Sequence, residues 1–290
     1  STQSRSSAAS DVYKRQLPNN TIPIRYDVSL TTNVHLGEPE FSGVVRIRIQ
    51  ALENTRSITL HYRQLTIETI ALYSIPVSGN PTLIGGTTFS FVEDLEFLVI
   101  TTPTELISNQ QYRVDITYRG LLRDDNMGFY RSFYKDTEGR TVWIATTQFE
   151  QTDARHAFPC YDEPQIRTPF GIEITHGSSY TAISNMPELS RSNPAIGMTT
   201  TKFEDTPDVQ TYLIAFIVSN FDSVENNDPN KPQRVFAKPQ SILNNEGDLA
   251  LDAGKKILDK FIEHFGVEFQ LPKIDQAALP DFDAGAMENW

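Results

Sequence analysis

The fold is decided by a stretch of alternating residues, Val44-Val45-Arg46-Ile47-Arg48-Ile49-Gln50. Apolar side chains at every second position share one face of an extended strand, and the polar side chains between them share the other. A strand with one apolar and one polar face is typical of an antiparallel sheet that packs on a core and leaves its other side in water. The stretch therefore predicts an antiparallel β-sheet.

The same apolar spacing returns on both sides of this stretch. It occupies residues 26–30, 58–62, 112–118 and 170–174, and a continuous apolar run covers residues 212–218. Turn-forming residues separate these strands at 78–81, 85–86 and 137–139. Many short strands without a strong helix predict an antiparallel β-sandwich or saddle of sheets.

The composition changes after residue 220. Residues 226–232 are polar and rich in turn formers, which predicts an interdomain connection. A helix follows, because apolar residues recur there every three or four positions, with Gly266 suited to its C-cap: Ala250, Gly254, Ile257, Leu258, Phe261 and Phe265. We predict that residues 1–16 are disordered or a cloning or sequencing artefact. Residues 17–224 are then a β-rich domain, and residues 225–290 the incomplete start of a second domain.

Charge and composition exclude several classes of protein. The 290-residue chain has a formal net charge of -12, which disfavours nucleic acid as a partner. The apolar run at 212–218 is far shorter than the roughly 20 residues of a membrane helix. Cys160 is the only cysteine, so no disulfide can form within the chain. Asn19-Asn20-Thr21 fits the N-glycosylation acceptor pattern.

No self-contained active site is visible in the sequence. None of the five histidines has another at metal-ligand spacing, and H-E-x-x-H and Cys-x-x-Cys motifs are absent. We therefore predict no catalytic residue and no metal ligand in this chain. Two distant carboxylates remain, Glu150 and Glu288. Together they could hold the α-amino group of a peptide, which has a pKa of about 7.7–8.0 and is mostly an ammonium at neutral pH.

Three blocks of sequence resemble the zinc aminopeptidase N family, in the family's order and across Leu17 to Trp290. The first holds Leu17-Pro18, Pro23-Ile24-Arg25-Tyr26-Asp27-Val28 and Phe41-Ser42-Gly43. The second is the stretch from Thr147-Gln148-Phe149-Glu150 through Pro164. The third is Pro280-Asp281-Phe282 followed by Gly285-Ala286-Met287-Glu288-Asn289.

The resemblance implies a role for several residues. Glu288 would bind the amino terminus of a substrate, and Glu150 would reach the same amine. Gly285, Ala286 and Met287 would pair their backbone with the peptide, and Gln148 would line the first side-chain pocket. In relatives, zinc is held by two histidines and a glutamate that lie C-terminal to the position of Trp290. The resemblance thus implies that zinc belongs to the full-length parent, that this chain binds none, and that residues 225–290 begin an α/β thermolysin-like catalytic domain.

The favoured function is the N-terminal part of a zinc metallo-aminopeptidase that removes the first residue of peptides. Its partners would be peptides with a free N-terminus and the remainder of its own catalytic domain, with a homodimer left open. An extracellular or cell-surface, membrane-associated parent is favoured, with a cytoplasmic one left open. The alternatives are a non-catalytic β-rich peptide-binding or receptor module, and a family member that has lost its zinc ligands. Epoxide hydrolases are also relatives, but Ala286 matches the aminopeptidase form of the motif.

Overall fold

The computed structural model describes residues 16–226 and 228–290, so the prediction for residues 1–15 lies outside the described residues. The two α-helices of the described ranges are α1 (Pro239–Leu243) and α2 (Asp248–Phe265). The strands are β1 (Thr21–Thr32), β2 (Glu40–Ala51), β3 (Thr55–His61), β4 (Thr66–Ile75), β5 (Thr82–Ile84), β6 (Thr88–Val92), β7 (Phe97–Leu106), β8 (Gln111–Leu121), β9 (Gly128–Lys135), β10 (Thr141–Gln148), β11 (Phe170–Gly177), β12 (Thr181–Ser184), β13 (Glu188–Ser192), β14 (Met198–Phe203), β15 (Phe216–Ser219), β16 (Asp222–Glu225), β17 (Gln233–Ala237) and β18 (Ile274–Ala277).

The stretch that predicted a strand lies near the middle of the largest sheet. β2 pairs antiparallel with β1 and with β8, and Ile47 stands opposite Tyr26 on one side and Val114 on the other. All three of these side chains are fully buried, whereas Arg46 and Arg48 face outward. The antiparallel pairing predicted from the alternation is confirmed for β1, β2 and β8.

Three sheets share one hydrophobic core. The largest has the strand order β13-β14-β11-β1-β2-β8-β4-β5, and the others have the orders β12-β15-β10-β9 and β3-β7-β6. β1 and β11 pair in parallel, and the rings of Tyr26 and Phe170 stack with centroids 4.5 Å apart. Phe129 and Phe216 of the four-stranded sheet and Ile58 of the three-stranded sheet belong to the same buried cluster. The prediction of a mainly β fold is confirmed.

The loop that follows β10 is held by a buried arginine. Arg155 Nε donates to Asp162 Oδ2 at 3.0 Å, and its Nη1 donates to Glu96 Oε2 at 2.8 Å. Asp162 also accepts a hydrogen bond from the Thr211 hydroxyl at 2.7 Å. These bonds connect the loop to the turn before β7 and to residue 211, so they fix the chain just beyond the end of β10.

The structure corrects the expectation for one apolar stretch. The apolar run 212–218 is not one strand: Thr211–Leu213 form a 3-10 turn and only the end of the run belongs to β15, because the Leu213 carbonyl and the Ala215 amide bond the side chain of Asn185. The polar stretch 226–232 lies between β16 and β17, which pair antiparallel, and its role as an interdomain connection stays a prediction. The predicted boundary between 224 and 225 falls inside β16 and stays a prediction.

A fourth, smaller sheet with the order β16-β17-β18 lies beside a second buried cluster that includes Tyr134, Ile144 and Phe236. Helix α2 follows the predicted span and ends at Gly266, whose φ of 66° is left-handed. None of its residues is buried, and Ile257 and Phe261 are more than half exposed. No helix of the described ranges combines the length and the apolarity that a membrane crossing needs.

Candidate functional site

A cavity of about 790 Å³ lies between the four-stranded sheet and the C-terminal residues of the chain. Thr146 and Thr147 of β10 line one side of it, with Phe216 of the neighbouring strand β15. Strand β18 and residues 278–280 and 284–290 line the other side. The cavity thus forms where the four-stranded sheet meets the segment that carries the predicted binding motif.

The start of that segment is fastened at Asp281. The Tyr130 hydroxyl donates to the Asp281 carbonyl at 3.0 Å, and the Ser132 hydroxyl donates to its carboxylate at 2.6 Å. Both donors lie on β9 and are buried. Asn126 Nδ2 donates to Asp283 Oδ1 at 2.8 Å and adds a more exposed contact. Sequence reasoning quoted Asp281 only as part of a motif and missed its two partners.

The end of the segment is fastened at the carbonyl of Leu213. This oxygen accepts from the Trp290 amide at 3.2 Å, from Asn289 Nδ2 at 3.4 Å and from Asn185 Nδ2 at 2.8 Å. Asn185 Nδ2 also donates to the carbonyl of Trp290. No signal in the sequence marked Asn185, which follows directly after strand β12.

The predicted residues Gly285, Ala286, Met287 and Glu288 lie between these two attachments and all line the cavity. Within the described ranges, no hydrogen bond involves residues 284–288, and no cation pairs with Glu288. A Cβ placed on Gly285 would meet no atom within 4 Å, so the backbone there is open to the cavity. This wall therefore offers a carboxylate and backbone polar groups that are free to bind a ligand.

The structure does not place Gln148 and Glu150 among the residues that line the cavity. Gln148 is half-buried at the end of β10, and its Oε1 is buried without a hydrogen-bond partner in the described part of the chain. Glu150 is exposed two residues later, and a cis peptide joins it to Gln151. The pairing of Glu150 with Glu288 across a shared cleft stays a prediction.

A buried cation, Lys273, lies among the residues that line the cavity. Lys273 Nζ donates to the Ser184 carbonyl at 2.7 Å and to Asp275 Oδ2 at 2.6 Å. Arg234 binds the same carboxylate at 2.8 Å. Burial lowers the pKa of Lys273, and the charge of Asp275 opposes that effect. Lys273 thereby ties β18 to the end of β12.

Among residues 16–226 and 228–290, no group of three or more His, Cys, Asp or Glu side chains could hold a metal ion. Asn19, the predicted glycosylation acceptor, is exposed in the turn before β1.

Comparison with known proteins finds two matching domain families. The Peptidase M1 N-terminal domain matches residues 22–213, and the Peptidase family M1 domain matches residues 249–290. Aminopeptidase N of Oryctolagus cuniculus is 38% identical over 287 residues, which cover 95% of this chain and 29% of the relative. Endoplasmic reticulum aminopeptidase 1 of Homo sapiens is 37% identical over 280 residues, which cover 96% of this chain and 29% of the relative. The chain thus spans less than a third of the length of these relatives.

Proposed function

Because the chain belongs to peptidase family M1, we propose that it is the N-terminal part of an aminopeptidase and recognises the α-amino group of a peptide substrate. The whole protein would hydrolyse the first peptide bond of peptides. The residues of this chain would bind and orient the substrate amine. The expectation of a zinc aminopeptidase N relative agrees with the family found.

The position of Glu288 carries this proposal. Its carboxylate lies on the wall of a 790 Å³ cavity and has no cationic partner in the described part of the chain. An ammonium group could supply that partner through a charge-assisted hydrogen bond, which is about twice as strong as a neutral one. The backbone of Gly285, Ala286 and Met287, unbonded within the described ranges, would pair with the peptide that follows the amine. We further propose that Glu150 adds a second carboxylate and that Gln148 borders the first side-chain pocket.

Family M1 peptidases depend on zinc, and when bound the metal supplies the Lewis acid for hydrolysis. We propose that the ligands come from parts of the whole protein outside this chain, which covers 29% of the length of the Oryctolagus cuniculus relative. The remaining catalytic domain would also cover the apolar side of α2, where Ile257 and Phe261 are exposed. An extracellular or cell-surface protein with a glycan at Asn19 is part of this proposal.

Binding of a short peptide to the 290-residue chain tests the proposal. We expect an alanine tripeptide amide with a free amine to bind more tightly than its N-acetylated form in calorimetric titration. Glu288→Gln should weaken binding of the free-amine peptide about tenfold or more, because a hydrogen bond to a charged group is worth roughly 1.5–3 kcal/mol. Glu268→Gln is the matched control, since Glu268 is exposed and does not line the cavity. Equal binding of the two peptides, or an equal loss with Glu268→Gln, would refute amine recognition.

Kinetics of the whole protein test the same role. We expect Glu288→Ala to raise KM for an amino-acid amide and to lower kcat as well, because amine binding positions the scissile bond. The measurement is release of a chromogenic leaving group. Unchanged kinetics would remove Glu288 from the site.

A further inference from the structure

The side chain of Asn185 joins three parts of the chain. Its Oδ1 accepts from the Ala215 amide at 2.9 Å, and its Nδ2 donates to the carbonyls of Leu213, at 2.8 Å, and of Trp290. The residue is 8% exposed, so these bonds are largely shielded from water. A buried amide whose donors and acceptor are all used strongly restricts the groups around it.

The segment that contains Glu288 depends on this attachment. Residues 284–288 make no hydrogen bond within the described ranges, so their position is set by Asp281 and Asp283 before them and by residues 289–290 after them. The Trp290 amide bonds the same Leu213 carbonyl that Asn185 holds. Glu288 lies only two residues before Trp290, which makes the Asn185 attachment the nearer of the two.

We propose that Asn185 is a positioning residue for the amine-binding segment: it fixes residues 289–290 on the four-stranded sheet and so sets where Glu288 faces the cavity. Asn185 itself lines that cavity beside Ser184, whose carbonyl accepts from Lys273. The identity of the ligand rests on the proposed function, whereas the attachment itself does not.

Hydrogen exchange of the 290-residue chain tests the attachment without any ligand. Asn185→Asp keeps the acceptor for Ala215 but replaces the donor with an oxygen that faces two carbonyls. The Trp290 amide bonds the Leu213 carbonyl, so we expect its exchange to accelerate about tenfold or more once the two hydrogen bonds from Asn185 Nδ2 are lost, while residues 141–148 of β10 keep their rates. Asn220→Asp is the matched control, since Asn220 uses its Oδ1 to accept from the Tyr134 hydroxyl.

Unchanged exchange of the Trp290 amide would overturn the proposal, and so would equal acceleration across the whole chain, which would mean a purely structural role. If Asn185→Asp does not fold, Asn289→Asp carries the same test from the side of the segment, because it removes the donor to Leu213. Unchanged exchange of the Trp290 amide in the Asn289→Asp variant would also count against the proposal.

Peptide titration separates this proposal from the proposed function. With Asn185→Asp we expect a higher Kd for the free-amine tripeptide, and no change with Asn220→Asp. If the unmodified chain binds no such peptide, the proposed function fails. The exchange rates then still decide whether Asn185 positions the segment.

Discussion

The charge of the substrate amine, rather than its size, should control binding at Glu288. A peptide α-amino group has a pKa of about 7.7–8.0, so its cationic form is lost as the pH rises through that range. We expect the affinity of the chain for the free-amine tripeptide to be constant near pH 6.5 and to fall about tenfold for each unit above pH 8. Titrations at pH 6.5 and 9.5 measure this.

A trimethylated amine provides the control for that dependence, because its positive charge does not titrate. Its affinity should be the same at both pH values. An equal loss for the trimethylated peptide would show that a group of the protein, rather than the amine, titrates.

Arg155 should be the most costly single charge to remove from the described part of the fold. Its side chain is 7% exposed and its partner Asp162 is 1% exposed, so Arg155→Met leaves a carboxylate buried without its ion-pair partner. We expect a loss of roughly 3–5 kcal/mol in the free energy of unfolding, measured in urea. Arg119→Met removes an exposed ion pair with Glu68 and should cost about 0–1 kcal/mol. Equal effects of the two variants would contradict this account.

At the scale of elements, helix α2 presents an apolar side that nothing in the described chain covers fully. Ile257 is 53% exposed and Phe261 is 56% exposed, four residues apart on one face. Contiguous exposed apolar surface favours self-association. We expect Ile257→Gln with Phe261→Gln to reduce oligomers of the isolated chain in sedimentation velocity at high protein concentration.

The matched control changes the polar side of the same helix. Asp252 and Glu263 are exposed and, within the described ranges, pair with lysines of α2, so Asp252→Gln with Glu263→Gln alters charge and leaves the apolar side intact. This variant should not reduce self-association. A monomeric unmodified chain at every concentration would contradict the prediction.

The sequence could predict elements whose signal is local. Alternation in residues 44–50 and the helical spacing from Ala250 to Phe265 depend on neighbouring residues, and both predictions are confirmed. The turn at Leu213 could not be predicted, because it depends on a side chain 28 residues away. The bond between Asn185 and Trp290 spans 105 residues. Alternation identifies the buried face of a strand but does not show which distant groups bond at its end.

At the scale of the whole molecule, residues far apart in sequence form one core. β1 lies between β2 and β11, and the parallel register sets Tyr26 opposite Phe170. The Tyr26 hydroxyl accepts from the Tyr161 amide at 2.9 Å, and the Tyr161 hydroxyl bonds the Thr21 hydroxyl at 2.8 Å. The hydroxyl groups of Tyr26 and Tyr161 therefore take part in the hydrogen bonds that connect β1 to residue 161.

This arrangement predicts that alkali unfolds the chain through its tyrosines. Burial raises the pKa of Tyr26, Tyr118, Tyr130 and Tyr161, and raises that of Tyr180 to about 12. In the unfolded chain a tyrosine ionises near pH 10. The folded state therefore keeps protons that the unfolded state releases, so stability is complete below about pH 10 and falls as the pH rises above it. Absorbance of phenolate at 295 nm should rise steeply at the pH where the far-UV circular dichroism is lost.

Tyr118→Phe isolates the cause. The hydroxyl of Tyr118 is buried and has no hydrogen-bond partner in the described part of the chain, while its ring packs edge-on against Phe41. Removing only the hydroxyl keeps the packing and deletes one group whose ionisation favours unfolding. We expect Tyr118→Phe to unfold at a higher pH than the unmodified chain and to be as stable or more stable at pH 7. Titration of phenolate well below the unfolding pH would instead show that these tyrosines ionise inside the folded protein.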